Sequence, residues 1–530
     1  MKILTFPFSL ILIALLIGSC SPERQKDTGQ VDSLRTAAEQ LIKAQSLMGW
    51  NNWAFGKPSN QDSLYKSNAH LFTIDNINLV RETEEAEPDS VQKKRLRYFR
   101  RYLTTEFIAK DIAPLTDSVS NIEASATLTF EGKTIPYRQL SSLLSNEKQQ
   151  GRRRGLYIAA GTVLDSLNAT LSTVEKKSRS IAQDLGYASY NAMAEDLKQF
   201  SLDEFKVVAE KVLADTDSLY TTLLKEMLAR QLGLTVERFY RFDIGRLLRV
   251  QQFDKYFTAA SMMDVVRKTY LGLGVNIEAQ TNLKIDAESR EKKNPRAVCY
   301  PIDVPNDIRL SIRPIGGFDD YSSLFHEMGH GQHYANTKEN AFEFKHLGEP
   351  TVTECFAFLS EYILVNQAWL RQHSSMPTPV LKDFVRARTF QRLYLIRRYA
   401  AKFLYELQLH GGAPNPQVIY ATTLSNAMGY QRTGDDEKRY LTDVDALYYS
   451  AGYLRAWFLE AQLNEKLSLQ FGANWFESPQ AGEYLRTLWA TGDRYNGDEF
   501  VRLIGHDRIS PDVLLAAIKR MVLFSTKSAA

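Results

Sequence analysis

Between positions 31 and 274, apolar residues recur at spacings of three and four, as in Phe205, Val208, Ala209, Val212 and Leu213 after Ser201. That period matches one face of an α-helix, so the stretch is predicted to form long packed helices with charged i to i+4 partners outside. No fixed repeat length emerges, which argues against a solenoid. The pattern changes after Val275, where short apolar runs at 283–285, 297–302 and 308–312 are separated by polar or Pro/Asn turns. These are predicted strands of a small sheet. Helical spacing resumes at Asp319 and continues almost to the end, broken at Gly411-Gly412-Ala413-Pro414 and at Ser478-Pro479. The expected fold is mainly α, with an N-terminal helical region at 31–274 and a second region at 275–530 that holds one small sheet.

The first thirty residues read differently. Lys2 precedes a largely apolar run at 3–17, followed by Gly18-Ser19-Cys20. The run is too short to span a bilayer comfortably and has the layout of a secretory signal peptide, here 1–19. Small residues directly before a Cys resemble the lipobox of bacterial lipoproteins. The expectation is export from a bacterial cell, lipidation at Cys20 and a membrane anchor facing the periplasm or exterior, with polar residues 20–30 as a tether. An ordinary secretory signal that happens to contain a Cys is the alternative. Only Cys299 and Cys355 then remain, and their apolar neighbours mark them as buried small hydrophobes, although a single bridge between them stays open.

Composition adds exclusions. With 44% hydrophobic and 24% charged residues the chain has ample material for a core, and its 530 residues can wind into one helical body or several units. The formal charge of +3 comes from interspersed Lys, Arg, Asp and Glu and makes no case for a nucleic-acid partner. The basic run at 93–101 is interleaved with Leu96, Tyr98 and Phe99 and reads as a solvated helix face. No feature calls for an obligatory protein partner.

The chemistry concentrates in His326-Glu327-Met328-Gly329-His330. On a helix, positions i and i+4 share a face, so His326 and His330 can aim two imidazoles at one metal with Glu327 beside it. Catalytic zinc takes neutral imidazoles and a carboxylate, keeps one position for water, and works with a general base. Chance alone would place this spacing in roughly one such sequence in a hundred, so its setting matters. Gly316-Gly317 supplies a loop before the helix, and Asp319 or Asp320 a candidate N-cap. The best third ligand is Glu354, 24 positions after His330 at the start of an apolar helix. Glu349 competes from a loop before Pro350. Glu361, two turns beyond Glu354, is placed to accept a hydrogen bond from a ligating imidazole. His333 is within reach of the same neighbourhood, but is as readily a wall or solvent histidine.

Arg313-Pro314, Gly316-Gly317, Asp320-Tyr321, His326 to His330, His333, Glu354 and Glu361 together resemble the thimet oligopeptidase and neurolysin family of gluzincins. Gln332 and the step to Glu354 also resemble the angiotensin-converting-enzyme family, which shares that helical fold. Gly497-Asp498-Glu499-Phe500, Gly505-His506 and Pro511-Asp512 are similar to the oligopeptidase tail. The specific matches run from about Ala297 to the C-terminus.

The resemblance implies one Zn2+ per chain on His326, His330 and Glu354, Glu327 as general base, and a deep channel admitting short peptides. It further implies tyrosine donors for a tetrahedral oxyanion, here Tyr453 with Tyr449 in Tyr448-Tyr449-Ser450-Ala451-Gly452-Tyr453-Leu454-Arg455. Arg455 would then bind a substrate carboxylate or an anion, or form a surface salt bridge. Both families place a His several residues before the first Tyr, and 441–447 contains none, so a Tyr alone or a residue such as His333 would carry that task. The expected activity is zinc-dependent hydrolysis of short oligopeptides. A dipeptidyl carboxypeptidase and a catalytically silent peptide-binding lipoprotein are the alternatives, and the presence of Glu327 argues against the silent protein.

Overall fold

The helical periodicity is realised as long helices in the computed structural model, which describes residues 22–526 apart from Ser59 and Pro295, and side chains from residue 29 onward. With 72% helix and 5% strand the chain is mainly α. Cys20 and the signal segment 1–19 lie outside the described residues. Among those residues, no helix is long and apolar enough to cross a membrane.

Helix α1 (Pro22–Phe55) begins inside the stretch read as a tether, so 22–30 is helical. Pro at the first helical position costs no hydrogen bond, and Glu, Arg, Gln and Lys are good helix formers whatever their polarity, which is why a polar composition misleads here. Helix α2 (Ser90–Ser125) follows. A hairpin of β1 (Thr127–Phe130) and β2 (Lys133–Pro136) interrupts the helices without having been anticipated. Its turn is Glu131-Gly132 with both φ positive, at 51° and 72°, the geometry that keeps two short strands twisted together.

Helix α3 (Gly161–Asp184) leads to α4 (Tyr190–Lys198) and α5 (Leu202–Leu232). Ser201 starts α5 by accepting the Glu204 N–H, and Gly233 ends it at φ 65°. Phe205, Ala209 and Val212 are buried as their spacing predicts.

The three predicted strands are β3 (Leu283–Asp286), β4 (Val298–Asp303) and β5 (Asp307–Ser311). They form one sheet in the order β3-β5-β4, parallel between β3 and β5 and antiparallel between β5 and β4. Central β5 buries Ile308 and Leu310, while β4 lies at the edge. Against β4 and β5 packs α6 (Phe318–Ala335), which in turn packs on α7 (Thr351–Ile363). Helix α8 (Thr378–His410) then contacts α5, α9 (Tyr449–Phe471) and α11 (Asp512–Thr526), with α10 (Gly497–Leu503) between the last two. One apolar core includes residues from Val31 to Ile518, so it crosses 274/275 without a break. Cys299 and Cys355 are separate thiols.

Buried charge ties α8, α9 and α7 together. Arg392 of α8 pairs with Glu460 of α9, side chains 7% and 0% exposed, and its guanidinium lies 3.6 Å above the Tyr362 ring of α7. Burial pushes the Glu460 carboxyl up and Arg392 pulls it down, with burial prevailing. Arg392→Met keeps the stem and strands that carboxyl. The expected loss is about 3–5 kcal/mol of stability by urea denaturation, whereas replacing both partners with apolar residues should restore most of it.

Candidate metal centre

Helix α6 starts where two glycines take conformations closed to other residues, Gly316 at φ 96° and Gly317 at φ 93°. Gly317 is the N-cap residue, and neither aspartate caps the helix as the sequence suggests. Asp320 instead accepts the N–H groups of Ile315 at 2.7 Å and Gly316 at 2.8 Å, which fastens the loop. The Phe318 N–H goes to Asp254, far away in sequence.

Gly329 decides whether a third ligand can arrive. A Cβ there would lie 2.4 Å from the Phe356 carbonyl oxygen and 2.6 Å from Ala357 Cα. Only glycine lets α7 approach α6 this closely, and that approach carries Glu354 to the two histidines. Glu354 Oε2 lies 3.4 Å from His326 Nε2 and 3.8 Å from His330 Nε2, and one ligand atom from each residue falls within 4.8 Å of the others. Ligand atoms about 2.1 Å from a tetrahedral metal ion stand roughly 3.4 Å apart, so the 3.4 and 3.8 Å separations leave room for a metal ion between these groups.

The outer bonds set the tautomers a metal needs. His326 Nδ1 faces Glu361 Oε2 at 3.1 Å, and Glu361 Oε1 accepts the Ser322 hydroxyl at 2.6 Å. His330 Nδ1 faces Thr353 Oγ1 at 2.8 Å. With both Nδ1 atoms engaged, both Nε2 atoms point to Glu354. Burial drives the His330 imidazole down to about 4, which keeps it neutral. For His326 burial also acts downward, but Glu354 and Glu361 outweigh it and lift the imidazole to about 10, marking a place that attracts positive charge. Burial would raise Glu354, yet the imidazoles and the Tyr449 hydroxyl hold it below the ordinary carboxylate value. Among the described residues its buried Oε2 faces the two imidazoles, His326 at 3.4 Å, and makes no other hydrogen bond, as expected of an oxygen placed to meet a cation.

Glu327 lies beside this cluster. Its Oε2 accepts the Cys299 N–H at 2.8 Å, so edge strand β4 positions the carboxylate. Burial raises its pKa, a direction suited to a group that exchanges a proton near neutral pH. Nothing in the sequence marks a backbone N–H for that task. Thr353 was also overlooked, although it stands directly before Glu354.

Tyr449 and Tyr453 reach the cluster from α9. Tyr449 donates to Glu354 Oε1 at 3.0 Å, and its ring lies 4.9 Å from that of Tyr453, with the two hydroxyls hydrogen-bonded. Burial, followed by the nearby Glu354 carboxylate, pushes both phenols above the ordinary tyrosine value. Tyr453 stacks on Tyr399 with centroids 5.7 Å apart. The turn before α9 holds Leu447 and Tyr448 at φ 50° and 54°, a costly conformation for such side chains. Helix α4 supports it: Tyr190 accepts the Leu447 N–H at 2.9 Å, and Asn191 accepts the Tyr448 hydroxyl at 2.6 Å.

Three other residues stand elsewhere. His333 is completely buried, its Nε2 donating to the Gly492 carbonyl at 3.2 Å and its ring beside Phe356, so it is a wall residue and does not replace the missing upstream histidine. Arg455 pairs with Asp498 at 2.9 Å and lies over Phe200, which commits it to packing between α9 and α10. Glu349 accepts the Thr351 hydroxyl and, at 3.3 Å, the Gly497 N–H, so it is no competitor to Glu354. Neither a protein-family model nor a curated protein matches this chain.

Proposed function

We propose that the chain is a zinc-dependent peptidase acting on short oligopeptides, with an oligopeptidase-like helical fold and channel. One observation carries the reading: two imidazoles and a buried carboxylate converge within 4.8 Å beside a second carboxylate held by a strand edge. His326, His330 and Glu354 would hold one zinc ion, which when bound polarises a carbonyl and brings the pKa of water towards neutrality.

The remaining work belongs to the chain. Glu327 takes the proton of the attacking water and returns it to the departing amine, and the Cys299 N–H keeps its carboxylate aimed throughout. Since β4 pairs with β5 on one side only, an extended peptide added along its other side would bring a carbonyl next to Glu327. Tyr453, one turn beyond Tyr449, supplies a hydroxyl for the oxyanion, while Tyr449 steadies Glu354. Lipidation at Cys20 would place this activity at a membrane surface outside the cytoplasm.

The test is cleavage of internally quenched peptides of about ten residues by the purified chain. Hydrolysis should stop on chelation and return with zinc. Peptide binding without any cleavage by the zinc-loaded protein would favour the silent binding protein instead. Glu361→Ala should weaken zinc binding roughly 10- to 100-fold with the fold intact, because His326 loses the partner that orients it. Competition with a chromophoric chelator measures this, and unchanged affinity would contradict Glu361's assigned role.

A further inference from the structure

Helix α9 begins directly after Leu447 and Tyr448, whose positive φ makes the turn costly, so other parts of the fold must hold it. Much of that hold comes from the end of α8. Glu406 is fully buried there and directs both carboxyl oxygens at the turn: Oε1 accepts the Asp445 N–H at 2.7 Å, and Oε2 accepts the Ser450 hydroxyl at 2.5 Å. Asp445 precedes the two strained residues and Ser450 follows them, so one carboxyl group staples the segment across both. Around it, Lys402 of α8 pairs with the Asp445 carboxylate at 2.7 Å, and the Phe403 and His410 rings lie 5.7 and 5.2 Å from that of Tyr448.

Among the described residues Glu406 makes no ion pair, and burial pushes its carboxyl up to about 8 against the pull of Lys402. A buried carboxyl is unfavourable where an apolar side chain could pack instead. Its position suggests a different use. Ser450 adjoins Tyr449, whose hydroxyl lies 3.0 Å from Glu354, and Tyr453 follows one turn later on the same helix. The rotation of α9 about its axis, and with it the place of both phenols, is set where the helix starts. A group that acts on a developing charge has to be held within about 0.5 Å of its working position. With no histidine at 441–447, that demand falls on the tyrosines.

We propose that Glu406 is a positioning residue for the tyrosine pair: it holds the turn 445–450 so that Tyr449 meets Glu354 and Tyr453 meets the oxyanion. This rests on the peptidase reading. The rival is a purely structural role in joining α8 to α9.

Three variants separate the two. Glu406→Gln keeps an oxygen for the Asp445 N–H and can meet Ser450 with its amide, because a hydroxyl accepts as well as donates. Glu406→Ala removes both bonds, and Ser450→Ala removes one while leaving the buried carboxyl in place. For each purified, zinc-loaded chain the readouts are kcat and KM on a quenched peptide, affinity for a phosphinic analogue of that peptide, zinc content, and hydrogen exchange at 443–450 by mass spectrometry. Glu406→Ala should lower kcat roughly 10²- to 10³-fold, the usual worth of an oxyanion donor. Ser450→Ala should lower it about tenfold, the worth of one hydrogen bond. In both, KM and zinc content should stay at wild-type values, exchange at 443–450 should quicken, and the phosphinic peptide, whose tetrahedral group copies the intermediate, should weaken in step with kcat. Glu406→Gln should restore most of the rate.

An unchanged kcat in Glu406→Ala overturns the proposal. So does a joint loss of kcat, substrate affinity and zinc that Glu406→Gln shares, which assigns the residue to packing. Where Glu406→Ala does not fold, Ser450→Ala decides, and unchanged kcat and exchange in it overturn the proposal. A wild type that cleaves nothing sinks the peptidase reading by itself: Glu406-dependent protection of 443–450 would still support the hold on the turn, and equal exchange in wild type and variants would overturn it.

Discussion

Glu327→Gln should reduce peptide hydrolysis by about 10²- to 10⁴-fold while zinc content stays at that of wild type. The amide is nearly the same shape as the carboxylate, and its carbonyl oxygen can still accept the Cys299 N–H that positions the side chain. What it cannot do is take a proton. Because Glu327 is not among the three converging ligand residues, the metal should be undisturbed. The check is paired: rate on a quenched peptide and zinc by mass spectrometry on the same preparation. Retained activity would remove Glu327 from the mechanism, and lost zinc would show that it does more than exchange protons.

Glu354→Ala should have the broader effect. It deletes the oxygen that faces both imidazoles and frees the Tyr449 hydroxyl, leaving His326 with Glu361 alone. Zinc affinity should fall by more than the roughly 10- to 100-fold expected for an outer partner such as Glu361, and hydrolysis should disappear. A ligand that binds only the folded state raises the melting temperature as its concentration grows. Wild type should therefore melt higher as zinc is added, and Glu354→Ala should not. A zinc-dependent rise of equal size in both proteins would mean that the third ligand is another residue.

Much of the centre could be read from the chain because its parts are local. His326 and His330 stand one turn apart with Glu327 as their neighbour, and Glu354 and Glu361 are two turns apart on a second helix, so helical geometry groups each set, while the family resemblance supplied the link between the two. The three strands were equally legible, since short apolar runs between turns have few other readings. What stayed hidden depends on contacts between distant segments or on the backbone. The Cys299 N–H leaves no trace in residue type, and the role of Gly329 appears only when Phe356 and Ala357 press against it. His333 and Arg455 looked available because Gly492 and Asp498 lie far off in sequence. The β1-β2 hairpin escaped notice because two four-residue strands, mostly exposed, carry little apolar signal.

The central claim is that His326, His330 and Glu354 form one zinc site, and quantitative metal analysis tests it most directly. Purified wild type, supplemented with zinc and then dialysed, should retain one zinc per chain, and His326→Ala/His330→Ala treated identically should retain none. A wild type that holds no zinc, or a double variant that holds as much, would contradict the account.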